Sequence, residues 1–522
     1  MQGKLPEEKI QDLFSMPDDS IDDAVRAICS SWPAVDLIGR VADMYWDDLP
    51  RIKDAFEHIK TTPLAGKEVK TIGLYYYDMH IGGAQKVVYL MGNMLVNMGY
   101  KVVLITDDEP GPWDSVIEGV DRVFVQCPGK TNRENYILRA AMWDKIIDEY
   151  KIDLILNNTW TSYLLMFDTV LFKLKDIPSI AYTHTVFAAL LSNLGKAFYN
   201  QTYSLSMVDG MIVLSEADAA FWSVFNDNVY HLPNPVDPKL LNISHVEKPE
   251  ARSIIWIGRI APEKGPMDAI KVMDLVVKEL PDAVMYMVGG SVEGNYTEEC
   301  VSYIDDHGLK ENVIMTGFQS EPDPFYQRSK ILLNTSRFEG YPMVLIEAAA
   351  YGLPVVMYDI YHIDLAKDAY GVTTVPQGDI ESAASEIIKL LSEEDYYRER
   401  HELVEESFSN LREFDFEETW RNIIRGKKSD VRTDRKTSDM VRLVRDFYMK
   451  GCIASEGKEG AINDIQITDL IRENNKLKDQ LINAEENNKA LEKKYQKKVR
   501  TIKESKSYKL ASVFRKIRHP FR

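Results

Sequence analysis

The sequence predicts an α/β protein in which two doubly wound, Rossmann-like domains face a cleft, with an N-terminal helical extension and a C-terminal coiled coil. Short runs of Val, Ile and Leu alternate with segments of helix length, and this series occurs twice with a Pro-containing break between the copies. Such alternation is typical of parallel sheets covered by helices on both faces. Two consecutive domains of this type make the cleft between them the expected ligand site.

Each series contributes five candidate strands. The first has strands at 71–77, 101–106, 152–157, 178–183 and 209–214, with helices such as 84–98 and 134–149 between them. The second has strands at 253–258, 283–288, 312–316, 331–334 and 354–357. The predicted units are an N-terminal helical extension (1–66), the first domain (67–240), the second domain (241–408), crossover and packing helices (409–455), a coiled coil (456–502) and a basic amphipathic tail (503–522).

Composition excludes several classes of protein. No run approaches the ~18 apolar residues of a membrane span, and the first residues lack a basic segment followed by an apolar core, so we expect no secretory signal. The four cysteines lie far apart with no CxxC pair, which fits a reducing cytosol. No HExxH or other metal-ligand spacing occurs, so we expect neither a metal site nor a cofactor.

The net charge of −18 is distributed unevenly. Residues 493–522 contain twelve Lys and Arg and one acid, a local charge of +11, so residues 1–492 carry −18 − 11 = −29. Apolar residues at helical spacing in this tail indicate binding to an anionic membrane surface, hence a cytoplasmic protein peripheral on the inner face of the cell membrane. A nucleic-acid tail is disfavoured because the acidic body would repel phosphate backbones. A solvated helix end remains an alternative.

A heptad repeat precedes the tail and predicts self-association. Its a positions are Ile467, Asn474, Leu481, Asn488, Tyr495 and Ile502, and its d positions are Leu470, Leu477, Ala484, Leu491 and Lys498. Asparagines at a weaken the seam but favour a parallel, in-register dimer. A single charged helix in solvent is the alternative, and the number of strands is left open.

Three loops have residues suited to binding a charged ligand. In the first domain, Gly82-Gly83 stand between a strand and a helix, where a ligand can approach the backbone, although a Gly-Gly turn alone is weak evidence. The first strand of the second domain ends at Gly258-Arg259 and is followed by Lys264. Two cations at the carboxyl end of this strand can hold a diphosphate, or they are simply solvated.

The third loop follows the strand at 331–334 and has two carboxylates. Glu339 precedes Gly340, a helix begins near Pro342 or Met343, and Glu347 lies inside that apolar helix. A buried carboxylate is costly unless it is paired, and sugar or ribose hydroxyls would pair with it. The alternative is one capping Glu and one Glu bonded to the backbone.

These residues resemble retaining glycosyltransferase family 4, which has the glycosyltransferase-B fold. Arg259…Lys264 followed by Glu339-x7-Glu347 is similar to that family's donor-site signature, and the resemblance covers about residues 70–425. Supporting matches are Gly82-Gly83-Ala84, Tyr182-Thr183-His184, Leu214-Ser215-Glu216 and the segment from Pro233 to Asp237. Pro235 and Lys86 depart from the usual pattern, and we expect neither to touch the chemistry.

The resemblance implies an acceptor domain at 67–240, a nucleotide-sugar donor domain at 241–408 and a division of roles in the cleft. By similarity, Glu347 would bind the ribose hydroxyls and Glu339 hydroxyls of the transferred sugar, with His184 reaching the sugar from the first domain. The diphosphate would lie on Arg259 and Lys264, with the remaining donor-binding positions at Gly82, Gly83, Gly258, Gly340, Tyr341, Met343 and Val344. Transfer would retain the anomeric configuration without a metal.

The expected activity is hexosyl transfer from a nucleotide-diphosphate sugar, UDP-linked by preference, to a polysaccharide, glycolipid or glycoprotein of the cell surface. The alternatives are a non-catalytic sugar-nucleotide-binding partner of another transferase, a two-domain epimerase or phosphorylase, and a coiled-coil scaffold. The nucleotide base, the sugar, the acceptor and the role of residues 1–66 are not identified by the sequence.

Overall fold

A computed structural model describes residues 61–79, 82–107, 117, 120–124, 132–159, 164–187, 205–243, 252–291, 295–360, 362–367, 370–434 and 437–438. The predicted coiled coil and basic tail lie outside the described residues, as does the N-terminal extension before residue 61.

The first domain is built on a parallel sheet. Its described strands are Thr71–Tyr75 (β1), Lys101–Thr106 (β2), Asp121–Phe124 (β3), Leu154–Asn157 (β4), Ser179–Tyr182 (β5), Gly210–Val213 (β6) and Val229–His231 (β7). Its described helices are Gly83–Asn97 (α1), Asn132–Tyr150 (α2), Leu164–Leu174 (α3), Glu216–Trp222 (α4) and Pro238–Leu241 (α5). The strand order is β3-β2-β1-β4-β5-β6-β7, and every pair is parallel.

The second domain repeats this plan. Its described strands are Ser253–Ile257 (β8), Val284–Val288 (β9), Val313–Gly317 (β10), Ile331–Asn334 (β11), Val355–Tyr358 (β12) and Val372–Val375 (β13). Its described helices are Pro266–Glu279 (α6), Tyr296–Asp306 (α7), Asp323–Arg328 (α8), Met343–Ala350 (α9), Ile380–Ser392 (α10), Glu394–Arg412 (α11) and Phe416–Ile424 (α12). The order is β10-β9-β8-β11-β12-β13, again with parallel pairs.

All ten predicted strands correspond to observed strands, and the three that the sequence did not predict are β3, β7 and β13. These three lie at sheet edges. An edge strand is covered less completely than a central one, and β7 and β13 each contain residues that are not buried. Their sequences therefore lack the continuous apolar run that identifies β4, β5 and β11, in which every residue is buried.

Strand order places a crevice at one point in each sheet. In the first sheet the chain order reverses between β1 and β4, and in the second between β8 and β11. The loops that follow two such strands turn to opposite faces of the sheet and leave a gap at the carboxyl edge, where ligands bind in open α/β sheets. The loops after β1 and β8 contain Gly82-Gly83 and Arg259, and the loop after β11 contains Glu339.

The chain returns to the first domain after α11. Arg421 of α12 donates from Nη1 to the carbonyl of Met98 at 3.2 Å, beside the end of α1. Beyond α12, the carbonyl of Lys427 accepts from the hydroxyl of Tyr230 at 2.6 Å, and Thr433 bonds to the carbonyl of Ala220 at 2.9 Å. A single apolar cluster continues from beneath the first sheet to α9 and α12, so the two domains share part of their core.

Candidate functional site

A glycine allows the loop after β8 to lie directly against the end of β11. Gly265 has φ +64°, and a Cβ atom there would lie 2.3 Å from the carbonyl oxygen of Thr335. Any other residue would combine strain from the left-handed backbone with a clash against the main chain. The close approach fixes the 3₁₀ turn Pro262–Lys264, and with it the base of the Lys264 side chain, beside the β11 loop.

Lys264 and Glu339 form an ion pair across the crevice of the second sheet. Lys264 Nζ lies 2.6 Å from Glu339 Oε1, and the two side chains are 24% and 12% exposed. The main chain at Glu339 is held from the other side, since its carbonyl oxygen lies 2.9 Å from Nε2 of His362. The structure therefore brings together two of the predicted site residues, and it adds a histidine that the sequence analysis did not single out.

Arg259 lies in the same loop as Lys264 but has a different partner. Its guanidinium donates from Nη2 to Glu263 Oε1 at 2.9 Å, and its side chain is 65% exposed. Gly258 directly follows β8, and a Cβ atom there would make only an ordinary contact with the stem of Lys264. Arg259 and Lys264 thus lie in the same loop, as predicted, but each side chain binds a different carboxylate.

Helix α9 begins at Met343, as predicted, with Pro342 at the N-cap. No side chain in the described part of the chain caps this end, so N–H groups of the first turn are available to an anion. Met343 is buried with Sδ accepting from Asn234 Nδ2 at 3.4 Å, whereas Val344 is only half-buried. Half-buried Tyr341 precedes this turn, and burial raises the pKa of its hydroxyl, which keeps it protonated.

Glu347 is buried in α9 and bound by two side chains. Lys86 Nζ lies 2.7 Å from Oε1, and the hydroxyl of Tyr326 donates to Oε2 at 2.7 Å. Burial opposes the charge of Lys86, but the Glu347 carboxylate outweighs it and raises the pKa of Lys86. Burial, reinforced by Glu347, raises the pKa of Tyr326, so its hydroxyl remains a donor.

Lys86 makes a contact that the sequence did not indicate. It is a first-domain residue and contacts Glu347 directly, while its expected absence from the chemistry stays a prediction. Its separation of 261 residues from Glu347 explains why local sequence patterns do not reveal the pair. The only signal was that Lys86 departs from the family's usual residue at a position next to the Gly-Gly loop.

Gly82 and Gly83 lie at the start of α1, one turn before Lys86. Gly82 has φ −176°, an extended backbone that any residue adopts, and it accepts from the amide of Lys86 at 3.0 Å. Among the described residues, a Cβ at Gly83 would meet nothing within 4 Å, whereas one at Gly82 would clash with the amide end of the Gln85 side chain. Gly83 therefore leaves open space at the helix start, and at Gly82 the flexible Gln85 side chain fills it.

His184 and Gly340 bring the two domains into contact. A Cβ at Gly340 would lie 2.4 Å from the carbonyl oxygen of His184 and 2.6 Å from Cα of Thr185, so only glycine fits this approach. The imidazole of His184 lies with Nε2 2.9 Å from Oδ1 of Asn158. Burial lowers the pKa of His184 to about 3, so the ring is neutral at physiological pH.

The fold and this arrangement of charges define a two-domain glycosyltransferase-B architecture. The profile of the family described as "Glycosyl transferases group 1" matches residues 241–408, and that of "Glycosyltransferase Family 4" matches residues 81–240. The chain therefore belongs to the family 4 type of glycosyltransferases with the glycosyltransferase-B fold, which confirms the two predicted Rossmann-like domains and the family. The N-terminal extension, the coiled coil and the retaining mechanism stay predictions.

Two curated relatives share part of their sequence with this chain. The Bacillus subtilis (strain 168) poly(glycerol-phosphate) alpha-glucosyltransferase is 28% identical over 250 residues, which are 44% of this chain and 35% of that protein. The Staphylococcus aureus (strain COL) poly(ribitol-phosphate) alpha-N-acetylglucosaminyltransferase is 25% identical over 282 residues, 52% of this chain and 55% of that protein. The matches thus span about a third to a half of these relatives.

Solved structures share the fold at low sequence identity. S. aureus TarM, solved as a point mutant with fondaparinux, alpha-GlcNAc-glycerol and UDP, has a TM-score of 0.56 at 15% identity, covering 68% of this chain and 99% of that one. Anabaena HepE with UDP-glucose has a TM-score of 0.54 at 15% identity, covering 72% and 99%.

Among the helices that the structure describes, none is long and apolar enough to cross a membrane. Across all described residues, no group of three or more His, Cys, Asp or Glu side chains is arranged to hold a metal ion. Independence from metals stays a prediction.

Proposed function

We propose that the protein is a retaining glycosyltransferase that transfers a sugar from a nucleotide-diphosphate sugar, in the first instance a UDP-sugar, to a polysaccharide, glycolipid or glycoprotein of the cell surface. The observation that carries the proposal is the Lys264–Glu339 pair beside the uncapped start of α9, at the crevice of the second sheet. The B. subtilis and S. aureus relatives are transferases of poly(glycerol-phosphate) and poly(ribitol-phosphate), which supports a polymer acceptor. The HepE complex with UDP-glucose supports the donor class.

Glu347 is the ribose-binding group in this proposal. Among the described residues, Lys86 binds its Oε1 and Tyr326 its Oε2. A carboxylate oxygen can accept a second hydrogen bond, so both remain able to accept from a pair of neighbouring hydroxyls. The two existing partners fix the plane of the carboxylate before the ligand arrives.

The diphosphate would lie between Lys264, Arg259 and the start of α9. An ammonium group has three donors, so Lys264 can keep Glu339 and still bind a phosphate oxygen. Arg259 must leave Glu263, but an exposed pair of this type contributes only about 0–1 kcal/mol, which a charge-assisted bond to phosphate offsets. The N–H groups of Met343 and Val344 would add the positive end of the helix dipole.

The chemical step would depend on positioning and on stabilising the departing diphosphate. The bond from the anomeric carbon to the phosphate oxygen breaks, and the acceptor oxygen bonds to the same face of that carbon. The acceptor proton passes to the leaving phosphate oxygen, so the charges balance without a protein base. The second oxygen of Glu339 and the imidazole of His184 would hold the sugar during this step.

The test is incubation of the full chain with a panel of nucleotide sugars and with glycerol-phosphate and ribitol-phosphate polymers. We expect one donor to raise the unfolding temperature, since a ligand of the folded state stabilises it, and to yield a product with the donor's anomeric configuration by NMR. Lys264→Ala should lose about 100-fold or more in rate. Lys310→Ala, at an exposed pair with Asp305, is the matched control and should retain activity.

Three results would contradict the proposal. A product of inverted configuration would refute retention, and a Lys264→Ala variant as active as the wild type would refute the diphosphate site. Binding of a nucleotide sugar with neither transfer nor hydrolysis would favour the non-catalytic partner subunit instead.

Membrane binding and dimerisation depend on residues outside the described part of the chain and remain proposals. Removal of residues 491–522 should abolish sedimentation with anionic liposomes and leave sugar transfer to a soluble acceptor intact. Sedimentation that survives this truncation would contradict a role for the basic tail.

A further inference from the structure

Asn158 is a fully buried residue at the end of β4, beside the crevice of the first sheet. The sequence analysis did not single it out. Its side-chain Oδ1 lies 2.9 Å from Nε2 of His184, which follows the neighbouring strand β5. Its backbone amide donates to the carbonyl of Tyr75 at 2.9 Å, which fixes the residue against the end of β1.

The orientation of the Asn158 amide is determined by its other neighbours. Nδ2 lies 3.2 Å from the carbonyl oxygen of Tyr75 and 3.3 Å from that of Leu156. Carbonyl oxygens only accept hydrogen bonds, so the end of the amide that faces them must be the NH2 group. The reversed orientation would place the amide oxygen against two other oxygens, so Oδ1 faces His184.

This orientation fixes the tautomer of His184. Because Oδ1 only accepts, Nε2 of His184 must carry the proton, and a neutral imidazole then has a lone pair on Nδ1. Nδ1 is buried and has no hydrogen-bond partner among the residues that the structure describes. The ring packs near two aromatic rings, Tyr182 at 4.6 Å and Tyr76 at 6.1 Å between centroids, and neither supplies a charge.

We propose that Asn158 is a positioning residue that holds His184 as the Nε2–H tautomer, so that Nδ1 accepts a hydrogen bond from a hydroxyl of the transferred sugar. The inference rests on the proposed function for the identity of that ligand, whereas the tautomer follows from the contacts alone. A buried acceptor with no partner is costly, and a hydroxyl donor satisfies it. The contact of the His184 carbonyl with Gly340 places this histidine next to Glu339, the other residue assigned to the sugar.

The tautomer has a consequence for donor selection. An acceptor at Nδ1 distinguishes a sugar with a hydroxyl at the facing position from the corresponding deoxy sugar, because the deoxy sugar leaves the buried nitrogen unpaired. We expect one deoxy analogue of the true donor to be transferred at least 100-fold less efficiently by the wild type. In His184→Ala that discrimination should fall to less than tenfold, since the acceptor is absent.

The first experiment measures the tautomer directly in the full chain. With histidine labelled with ¹⁵N and the His184 signals identified by their loss in His184→Ala, we expect Nε2 to be protonated and Nδ1 unprotonated from pH 5 to 8. In Asn158→Ala the two tautomers should exchange. Asn226→Ala is the matched control, because Asn226 is also buried and donates to two backbone carbonyls, at 2.9 and 3.0 Å. A wild-type His184 protonated on Nδ1 would overturn the inference.

The second experiment measures transfer. Asn158→Ala should lower kcat at least tenfold, whereas Asn158→Asp keeps an oxygen opposite Nε2 and should restore part of the rate at pH 8. The recovery is only partial because its second oxygen replaces the NH2 group that bonds to the carbonyls of Tyr75 and Leu156. A negative carboxylate there raises the pKa of His184, so the Asp variant should lose rate as the pH falls, because an imidazolium cannot accept at Nδ1. A merely structural role for Asn158 would not create this pH dependence.

The results of these experiments distinguish the proposed function from the positioning role of Asn158. A wild type that transfers no sugar from any donor refutes the proposed function and the hydroxyl contact, while the NMR result still decides the tautomer. An active wild type whose Asn158→Ala variant has an unchanged kcat refutes the positioning role and leaves the proposed function standing.

Discussion

Lys86→Met tests whether the contact between the two domains contributes to stability. The substitution removes the cation opposite Glu347 and keeps an apolar side chain of similar length. Breaking a fully buried ion pair costs about 3–5 kcal/mol, whereas an exposed pair contributes about 0–1 kcal/mol. The side chain of Lys86 is 38% exposed and that of Glu347 11%, and Tyr326 still binds the carboxylate, so we expect a loss of about 1–2 kcal/mol.

The assay is thermal unfolding of the full chain with and without the nucleotide. A loss of this size lowers the unfolding temperature by roughly 2–8 °C in a domain of this length. Nucleotide binding should weaken as well, because the variant lacks a partner of Glu347, the proposed ribose-binding group. The raised pKa of Lys86 means that its contribution is complete below the ordinary lysine value of about 10.4 and is lost only as the pH rises beyond it. The difference from the wild type should therefore be constant between pH 6 and 9.

The control is Lys310→Met, whose partner Asp305 lies 2.9 Å away with both side chains well exposed. That pair should contribute less than about 0.5 kcal/mol. Equal unfolding temperatures for the Lys86 and Lys310 variants would refute the reasoning, because burial is the property in which the two pairs differ.

Three further predictions follow from single contacts. Tyr326→Phe removes one donor to Glu347 and should weaken nucleotide binding about 5–10-fold by calorimetry, with little effect on kcat. Gly340→Ala places a methyl group 2.4 Å from a first-domain carbonyl and should reduce transfer by tenfold or more in a steady-state assay, because the domains can no longer meet there. Burial raises the pKa of Asp218 to about 6, so its ionised form costs about 3 kcal/mol above that pH and nothing below about pH 4. Urea unfolding should therefore show the wild type gaining stability relative to Asp218→Asn as the pH falls from 7 to 4.

Each of these three predictions has a control variant or a result that would contradict it. Tyr303→Phe, at a surface hydroxyl that faces Asp274, is the control for Tyr326, and equal affinities in the two variants would contradict the ribose contact. Gly66→Ala, where a Cβ meets only an ordinary contact at 3.6 Å, is the control for Gly340. A stability difference that does not change between pH 4 and 7 would contradict the cost assigned to Asp218.

The interior of both sheets could be predicted from the sequence because burial on two faces leaves a local signature. The runs at β4 and β11 are apolar throughout, since every side chain must be covered. The edge strands β3, β7 and β13 do not have this signature. Exposed or polar residues interrupt their sequences, as the two threonines do in β13, so no continuous apolar run identifies them.

In the candidate site, too, some residues could be predicted from local sequence and others could not. Lys264, Glu339 and the start of α9 at Met343 are identified by short motifs, because each stands at a fixed distance from a strand end. The partners that hold the site together are not local: Lys86 and Asn158 contact Glu347 and His184 across 261 and 26 residues. Only the three-dimensional structure shows that a lysine outside the motif binds a carboxylate inside it.

The contacts between the domains also constrain how a ligand can enter. Nδ1 of His184 is buried, and the carbonyl of the same residue touches Gly340 of the opposite domain. In the described arrangement a sugar hydroxyl can therefore reach that nitrogen only after the groups around it move. If a donor binds as proposed, we expect the contacts at Gly340 and at Lys86–Glu347 to separate as it enters, and groups of the first domain would then bind it together with those of the second. The ion pair of Lys86 gives the first domain a direct contact with the proposed ribose-binding carboxylate, although the two residues are remote in sequence.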